Sequence, residues 1–460
     1  MPIFKQVQTT ILDASGNQSP QIIYTFLPIN RNPTPEPLNS DSDDEPNMEP
    51  TVLSSQPVIP EEPQVASVCN VNDSDSYDNE DENDDSDSDS SDDSDDESDS
   101  DTVIDIPIGI PESATPSNRV RAFANTPELQ QAINEYLANT SDNNPDDIGT
   151  WDVSQITSMK ELFLNKITSK QLNLKILGIK YWNVKNVTDM EAMFMGCTHF
   201  NIPIGDWNVS KVRNMAFMFS DCHRFNQYIG NWKVHNVTTM HYMFSHCCKY
   251  NKPIEEWDTK SVKDFKGMFY DCAGFNQPLN RWNVCKAKSM HSMFFNCYIF
   301  DQYLGDWDVT NVEDMSFMFE NCYNYNQPMQ RWNTKVRNVI KMIAMFRHCS
   351  KFNQYIGDWV VSSVVYMNSM FENCFKLNQS FNSWNTASLK YSNSMFNGCV
   401  EFNQMVGFNL SNVRNARRMF YGCTELNQDL SEWNSNLPVE ADKTEMFTNS
   451  GMVYVPGWAQ

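Results

Sequence analysis

No stretch of this 460-residue chain approaches the roughly 18 to 20 consecutive apolar residues that span a bilayer. Its opening, MPIFKQVQTTILDASG, lacks the basic segment and apolar core of a secretory leader. These absences predict a protein that neither inserts into a membrane nor uses the usual export route, so a cytoplasmic or viral setting is favoured over a cell surface. Positive charge is nearly missing from residues 1–118, which net about −26 when Lys and Arg are counted against Asp and Glu. From Val71 to Thr102 there are 17 Asp or Glu and no Lys or Arg. The other 342 residues are close to neutral, and bulk attraction to nucleic acid needs clustered cations, so no nucleic-acid partner is expected. Histidine is scarce, at seven residues, and none stands at metal spacing or beside a paired nucleophile. With no phosphate-binding loop either, no catalytic residue, cofactor or metal ligand is expected.

What residues 1–118 do contain is Pro-rich text (NPTPEPLNSDSDDEPNMEP) and then SDSDSSDDSDDESDSD. Such segments bury too little apolar surface to offset the entropy of ordering, and disorder is predicted throughout. Only QIIYTFLP could order locally. Nine serines lie among the acidic residues from Asp73 to Asp101, a context that suits acidophilic kinases; phosphorylation there would deepen the negative charge.

The next segment, NTPELQQAINEYLAN, reads as an amphipathic helix within a 119–150 cap region. Thr126 is its candidate N-cap and Pro127 its first helical residue, and Leu129, Ala132, Ile133, Tyr136 and Leu137 share one face. Tryptophans then recur at 151, 182, 207, 232, 257, 282, 307, 332, 359, 384 and 433, with Phe408 in the vacant place. Most intervals are 25 residues; the two longer ones place insertions at ITSKQLNLKILGIK and TKVRNVIKMIAMF, expected as loops. Trp458 closes a degenerate last turn, MFTNSGMVYVPGWAQ.

Aligned, one unit reads V-x-x-M-x-x-M-F-x-x-C-x-x-F-N-x-x-I-x-x-W-N-V. At about 100° per residue, Val187, Met190, Met193, Phe194 and Cys197 fall within one arc, so a short helix is predicted there. Ser154, Ser210, Thr310, Ser362 and Ser411 are its candidate caps. Prolines and glycines in the second half, such as Pro203 and Gly205, favour a turn with a short strand at Ile204–Trp207. So small a unit cannot enclose its own apolar side. Residues 151–460 should therefore form an α/β stack of about 11 repeats of 25 residues, curved with strands inside and helices outside.

The phrase MFSDCHRFNQYIGNWKVHNVTTMHYMF is similar to the repeat of BspA-like leucine-rich repeat proteins, a family that includes Mycoplasma lipoproteins. The resemblance covers about residues 119–460. It implies a right-handed leucine-rich-repeat-like solenoid that offers its surface to other proteins, often for adhesion, and it implies no catalytic residues. A start without a lipoprotein cysteine and a long acidic tail depart from that pattern.

Repetition marks structural ladders rather than sites. Cys197, Cys222, Cys247, Cys272, Cys297, Cys322, Cys349, Cys374, Cys399 and Cys423 supply one cysteine per turn, which cannot converge on zinc. They are expected as buried free thiols, with Cys247, Cys248 and His246 the place where a disulfide or metal would least surprise. Trp207, Trp232, Trp257, Trp282, Trp307, Trp332, Trp359 and Trp384 fill the interior, and Asn201, Asn226, Asn276 and Asn353 head an amide ladder along the turns. The sequons at Asn186 and Asn236 come with the repeat and carry little weight without export. Before successive tryptophans, Glu256, Arg281, Asp306, Arg331 and Asp358 alternate in sign, which would fix register between neighbours. Tyr228, Tyr303 and Tyr355 are candidate partner-binding anchors, since Tyr concentrates interface energy; ordinary packing explains them equally well. The expected function is a non-enzymatic scaffold for an unidentified protein partner. A structural or virion component that self-associates or mediates adhesion is the alternative.

Overall fold

The computed structural model describes residues 5–12, 18–25, 121–139, 147–430, 433 and 437–455. The acidic tract and Trp458 lie outside the described residues. Two units are distinguished, Met1–Val65 and Ala66–Gln460. In the first, β1 (Lys5–Leu12) and β2 (Gln18–Thr25) pair antiparallel, Lys5 opposite Thr25 and Leu12 opposite Gln18. This hairpin falls in the least acidic part of the tract read as structureless, and β2 ends in the QIIYT run.

In the second unit, α1 spans Thr126–Ala138 and buries Leu129, Ala132 and Ile133 completely. Its N-cap is Asn125, one residue earlier than expected. Asn125 is extended (φ −153°), and its Oδ1 accepts from Glu128 N at 3.0 Å. Glu128 reaches back to Ala124 N and Asn125 Nδ2, at 3.2 and 2.8 Å, which closes a reciprocal cap. Thr126, relieved of capping, ties the helix to the first coil instead, its hydroxyl donating to Ser158 O at 2.6 Å.

From residue 151 onward the chain winds in coils joined by single-residue parallel bridges, Ser158 to Asp189 to Asn214 and so on to Asp442. The helix expected in each coil is absent, and so is the strand at Ile204–Trp207. Where the helix was expected, Ala192 and Gly196 take φ of +51° and +72°, and the equivalent pair recurs in the other coils. A right-handed helix cannot contain such residues. The N–H groups of Met190, Ala192, Phe194 and Gly196 instead donate outward, to carbonyls of Asn214, Ala216, Met218 and Ser220 at 2.8–2.9 Å. Between them, Met193, Met195 and Cys197 close tight turns onto Met190, Ala192 and Phe194. Successive turns of this kind bring every third or fourth side chain inward, as a helix would, so Val187, Met190, Met193, Phe194 and Cys197 are still all fully buried.

The Ile204–Trp207 segment is itself a turn, closed by Trp207 N on Ile204 O at 3.1 Å. Four of the candidate caps serve turns rather than helices: Ser154, Ser210, Thr310 and Ser411 donate N–H to Asp152, Asn208, Asp308 and Asn409 Oδ1 at 2.9–3.2 Å. Ser362 follows Val360 and has no such acceptor. With neither helix nor strand in the coils, unequal element widths cannot supply the expected curvature.

The first insertion is more than a loop. It forms α2 (Lys170–Lys175) and a 3-10 segment, Leu177–Tyr181. It docks on α1, with Tyr136 OH donating to Lys175 O at 2.9 Å. The second insertion follows a 3-10 turn at Gln330–Trp332, and Lys335 Nζ there donates back to Trp307 O at 2.9 Å.

Inside the coils, one Phe per turn stacks on the next from Phe163 to Phe447 at centroid separations of 5.3–5.9 Å. Phe408 stands between Trp384 and Trp433 at 6.0 and 6.3 Å, in the place the period reserves for tryptophan. Each such aromatic contact adds about 0.5 to 1.5 kcal/mol beyond its buried area.

Candidate functional site

The repeated residues satisfy one another, coil to coil. Every ladder cysteine donates its S–H to the carbonyl of the Phe in the preceding coil, at 2.9–3.1 Å. That same carbonyl also takes an N–H from its own turn, for example Cys222 N onto Phe219 O at 2.9 Å, so both lone pairs are used. The thiol is thus a filler with a directed bond, which neither Ala nor Val could supply. Burial pushes the Cys197 thiol up to about 11 and holds the Cys222 and Cys247 thiols well above the usual thiol range. All ten ladder thiols are free. Cys248, beside the ladder, is disulfide-bonded.

Tryptophan works the same way. From Trp207 to Trp384 each Nε1–H donates to the backbone carbonyl of the residue three places before the preceding coil's tryptophan, at 2.9–3.2 Å. Trp151, with no coil before it, has a buried Nε1 with no hydrogen-bond partner among the described residues. Asn201 Oδ1 accepts Asn226 N and Gln227 Nε2, both at 3.0 Å, and Asn226 accepts Asn251 N likewise. The double use continues at Asn276 and Asn353. Glutamine is therefore part of the ladder, a role visible in the recurring Phe-Asn-Gln phrase but not assigned from it. The first rung is Asn173 of α2, which accepts Asn201 N at 3.0 Å. The sequon asparagines are engaged too, with Asn186 and Asn236 Nδ2 donating to Ser154 O and Ser210 O at 2.9 and 2.7 Å.

Tyr228, Tyr303 and Tyr355 fold down on their own turns. A Cβ added to Gly230, Gly305 or Gly357 would come within 2.7 Å of the ring two residues earlier, so each ring needs glycine beneath it. Their hydroxyls reach Asn231, Asp306 and Asp358 at 3.4, 3.4 and 3.0 Å. Tyr228 keeps 47% of its surface exposed, while the other two are half-buried. Of the alternating charges, Arg281 pairs with Glu256 and Arg331 with Asp306, each with the coil before. No pair to the coil after is formed among the described residues. All four side chains are largely in solvent, so register rather than stability is their contribution.

One cluster had no signal beyond its left-handed backbone. Asp221, His246, Asp271 and Asn296 occupy one position in successive coils, all at positive φ. His246 Nδ1 lies 3.2 Å from Asp221 Oδ1, and its Nε2 lies 3.8 Å from Asp271 Oδ2. Asn296 Nδ2 donates to Asp271 at 3.2 Å. Burial alone would lower the His246 pKa, but the hydrogen bond to Asp221 and the charges of both aspartates outweigh it and hold the value above 6.5. For Asp221, burial is likewise outweighed by His246, and its carboxyl falls below the usual range; Asp271 is pushed up by burial. Protonated His246 therefore stabilises the fold below pH 6.5, and the contribution is lost as pH rises through its folded value. Asp221 stabilises above about pH 3.8 and loses its contribution on acidification below that. H246N is expected to lower Tm clearly more at pH 6 than at pH 8.5; an equal deficit at both would mean the imidazole is neutral in the folded chain.

A family model described as Mycoplasma protein of unknown function, DUF285, matches residues 128–252, 218–332, 243–356, 295–407 and 340–454. No curated protein and no solved structure matches the chain.

Proposed function

The chain belongs to the DUF285 family, repeats of unknown function, and from that premise we propose that it is a non-enzymatic scaffold that presents the outer side of its coils to a protein partner. One observation carries the reading: the recurring Cys, Trp, Phe and Asn groups are consumed by contacts between coils. Whatever discriminates a ligand must then lie in residues that differ from coil to coil. We read the stack as a right-handed solenoid of the BspA-like leucine-rich-repeat kind, which the parallel bridges at 25-residue spacing support.

The partner face is best placed at the first insertion. There Leu174, Leu177 and Tyr181 are 58%, 40% and 71% exposed within eight residues, on segments anchored to α1. Insertions in repeat proteins gather on one face, often the binding one, and exposed apolar side chains on an anchored segment suit a protein contact better than the folded-down tyrosines do. The self-assembling alternative is less well supported at the N-terminal end. Thr126 and Gln130 of α1 already occupy the carbonyls of Ser158 and Leu162, which a preceding coil would need.

The test is affinity capture on the full chain and on L174D/Y181D, with mass spectrometry of what is retained. The double variant is expected to lose the partner while its Tm changes by less than about 2 °C, since exposed substitutions shift stability by about 0.5 kcal/mol or less. Retention of the same protein by both forms would remove this face from the binding site, and capture of nothing above background would remove the scaffold reading.

A further inference from the structure

Near-neutrality of the coils hides a local excess of positive charge. The backbone N–H of Arg213 donates to Thr188 O, and in turn Thr238, Lys263 and Lys288 each donate to the residue one coil earlier, at 2.9–3.0 Å. Arg213, Lys263 and Lys288 therefore stand in one hydrogen-bonded column, with Thr238 between the first two. Two residues before Arg213 and Lys288 come Lys211 and Lys286, equivalent positions of their coils. All five cations are exposed. Arg213, Lys263 and Lys286 form no ion pair among the described residues; Lys211 Nζ meets the Asn186 amide at 2.7 Å and Lys288 meets Glu313 at 3.1 Å. The nearby Asp189 and Asp264 use an oxygen on the backbone N–H of Glu191 and Lys266. In the same column further on stand Glu313, Ile340 and Val365, and beyond them Lys390 and Arg414, so the stretch in the coils of Trp207 to Trp282 is separated by three coils without a column cation from the next pair.

We infer that this stripe is the seat of the chain's own acidic tract, Asp73–Asp101. The charges are complementary, with 17 carboxylates in the tract against a stripe of five cations of which Lys288 alone has an ion-pair partner among the described residues. Length allows it. Residues 103–120 separate the tract from residue 121, where the described part resumes just before α1, and reach about 60 Å when extended, whereas five coils rise only about 25 Å. Tethering also gives the tract an effective concentration on the order of millimolar, which an outside polyanion does not have. A net charge of −25 further disfavours nucleic acid as the occupant at long range. Each contact is a weak surface ion pair, so the tract is held by number and released by salt. Phosphorylation of its serines would tighten the association. None of the five cations belongs to the proposed partner face.

Zero-length carbodiimide cross-linking of the full chain, read by mass spectrometry, tests it. In about 20 mM salt, tract carboxylates are expected to couple mainly to Lys211, Lys263, Lys286 and Lys288. Coupling should fall at least fivefold in about 0.5 M salt, where the screening length is near 4 Å. Links spread evenly over Lys351 and Lys443 as well, which lie outside the column, or unaffected by salt, would overturn it. A second measurement uses a labelled single-stranded oligonucleotide as probe. Full chain in which the tract's Asp and Glu are replaced by Asn and Gln should bind it at least tenfold more tightly than the unaltered chain. Equal binding by both would mean that the stripe is open to external polyanions and that the tract does not occupy it.

Discussion

Alkylation of the native chain with an uncharged maleimide is expected to modify Cys285 within minutes and to leave the ten ladder cysteines unmodified until the chain unfolds. Cys285 is the described free cysteine that is not buried. The ladder thiols are unreactive for three separable reasons. Each is sealed from solvent, at 0% exposure. Burial disfavours the thiolate, which is the nucleophile, holding Cys197 at about 11 and Cys272 and Cys297 well above the usual thiol range. Each S–H is also committed to a Phe carbonyl. Reaction must therefore pass through opening of the coils, and a global stability of about 5 to 15 kcal/mol makes that route roughly 10^4-fold or more slower than for an exposed thiol. Fraying should let Cys197 and Cys423, nearest the ends, react before Cys297. If Cys272 or Cys297 reacted as fast as Cys285, the ladder would not line an interior, and a fold built of stacked coils would fail with it.

The period, the inward residues and the helix at α1 were all legible, the first two because an apolar side chain recurring every 25 residues has only a neighbouring copy to bury against. The secondary structure was not legible from that same pattern. Positions spaced by three and four suit a helical face, yet the tight turns between Met190 and Cys197 bring the same residues inward. A discriminating signal did exist. The position just before each cysteine reads Gly196, Asp221, His246, Asp271, Asn296, Asn321, His348, Asn373, Gly398 and Gly422, all with positive φ. These are the residue types that tolerate the left-handed region, and a column composed solely of them is hard to reconcile with a helix interior. The companion column, Ala192, Phe217, Tyr242, Ser292 and Phe317, also has positive φ but carries no such signature. There the ladder bonds on both sides impose the conformation against local preference. The Asp221–His246–Asp271 contact was invisible for a related reason: its members are 25 residues apart, and only knowledge of the coil's register brings them together.

Register also governs the outcome of deletions. Removing Asp264–Lys288, one full period of 25 residues, is expected to give a folded chain with the same far-ultraviolet spectrum per residue and a modestly lower Tm. After the cut, Phe244 meets Phe294 in place of Phe269, Thr239 bridges to Ser289, and Asn251 receives the N–H of Asp301 instead of Asn276. Each lost contact is replaced by its equivalent, so the net loss is one coil and one interface. Removing only Asp264–Phe275, a shorter cut, is expected to abolish the cooperative transition. It takes away Met268, Phe269, Cys272 and Phe275, all fully buried, and leaves Phe244 and Phe294 each without the ring that now lies 5.6 or 5.7 Å away. Loss of a buried Met or Phe costs about 2 to 5 kcal/mol each. Three such losses reach about 6 kcal/mol at the least, comparable with the whole stability of a domain. The smaller deletion is thus the more damaging one, an ordering that a fold of independent globules would reverse. Thermal melts of the two variants beside the full chain decide it: a folded half-period variant, or an unfolded full-period one, would mean that the 25-residue coil is not the unit by which this protein is built.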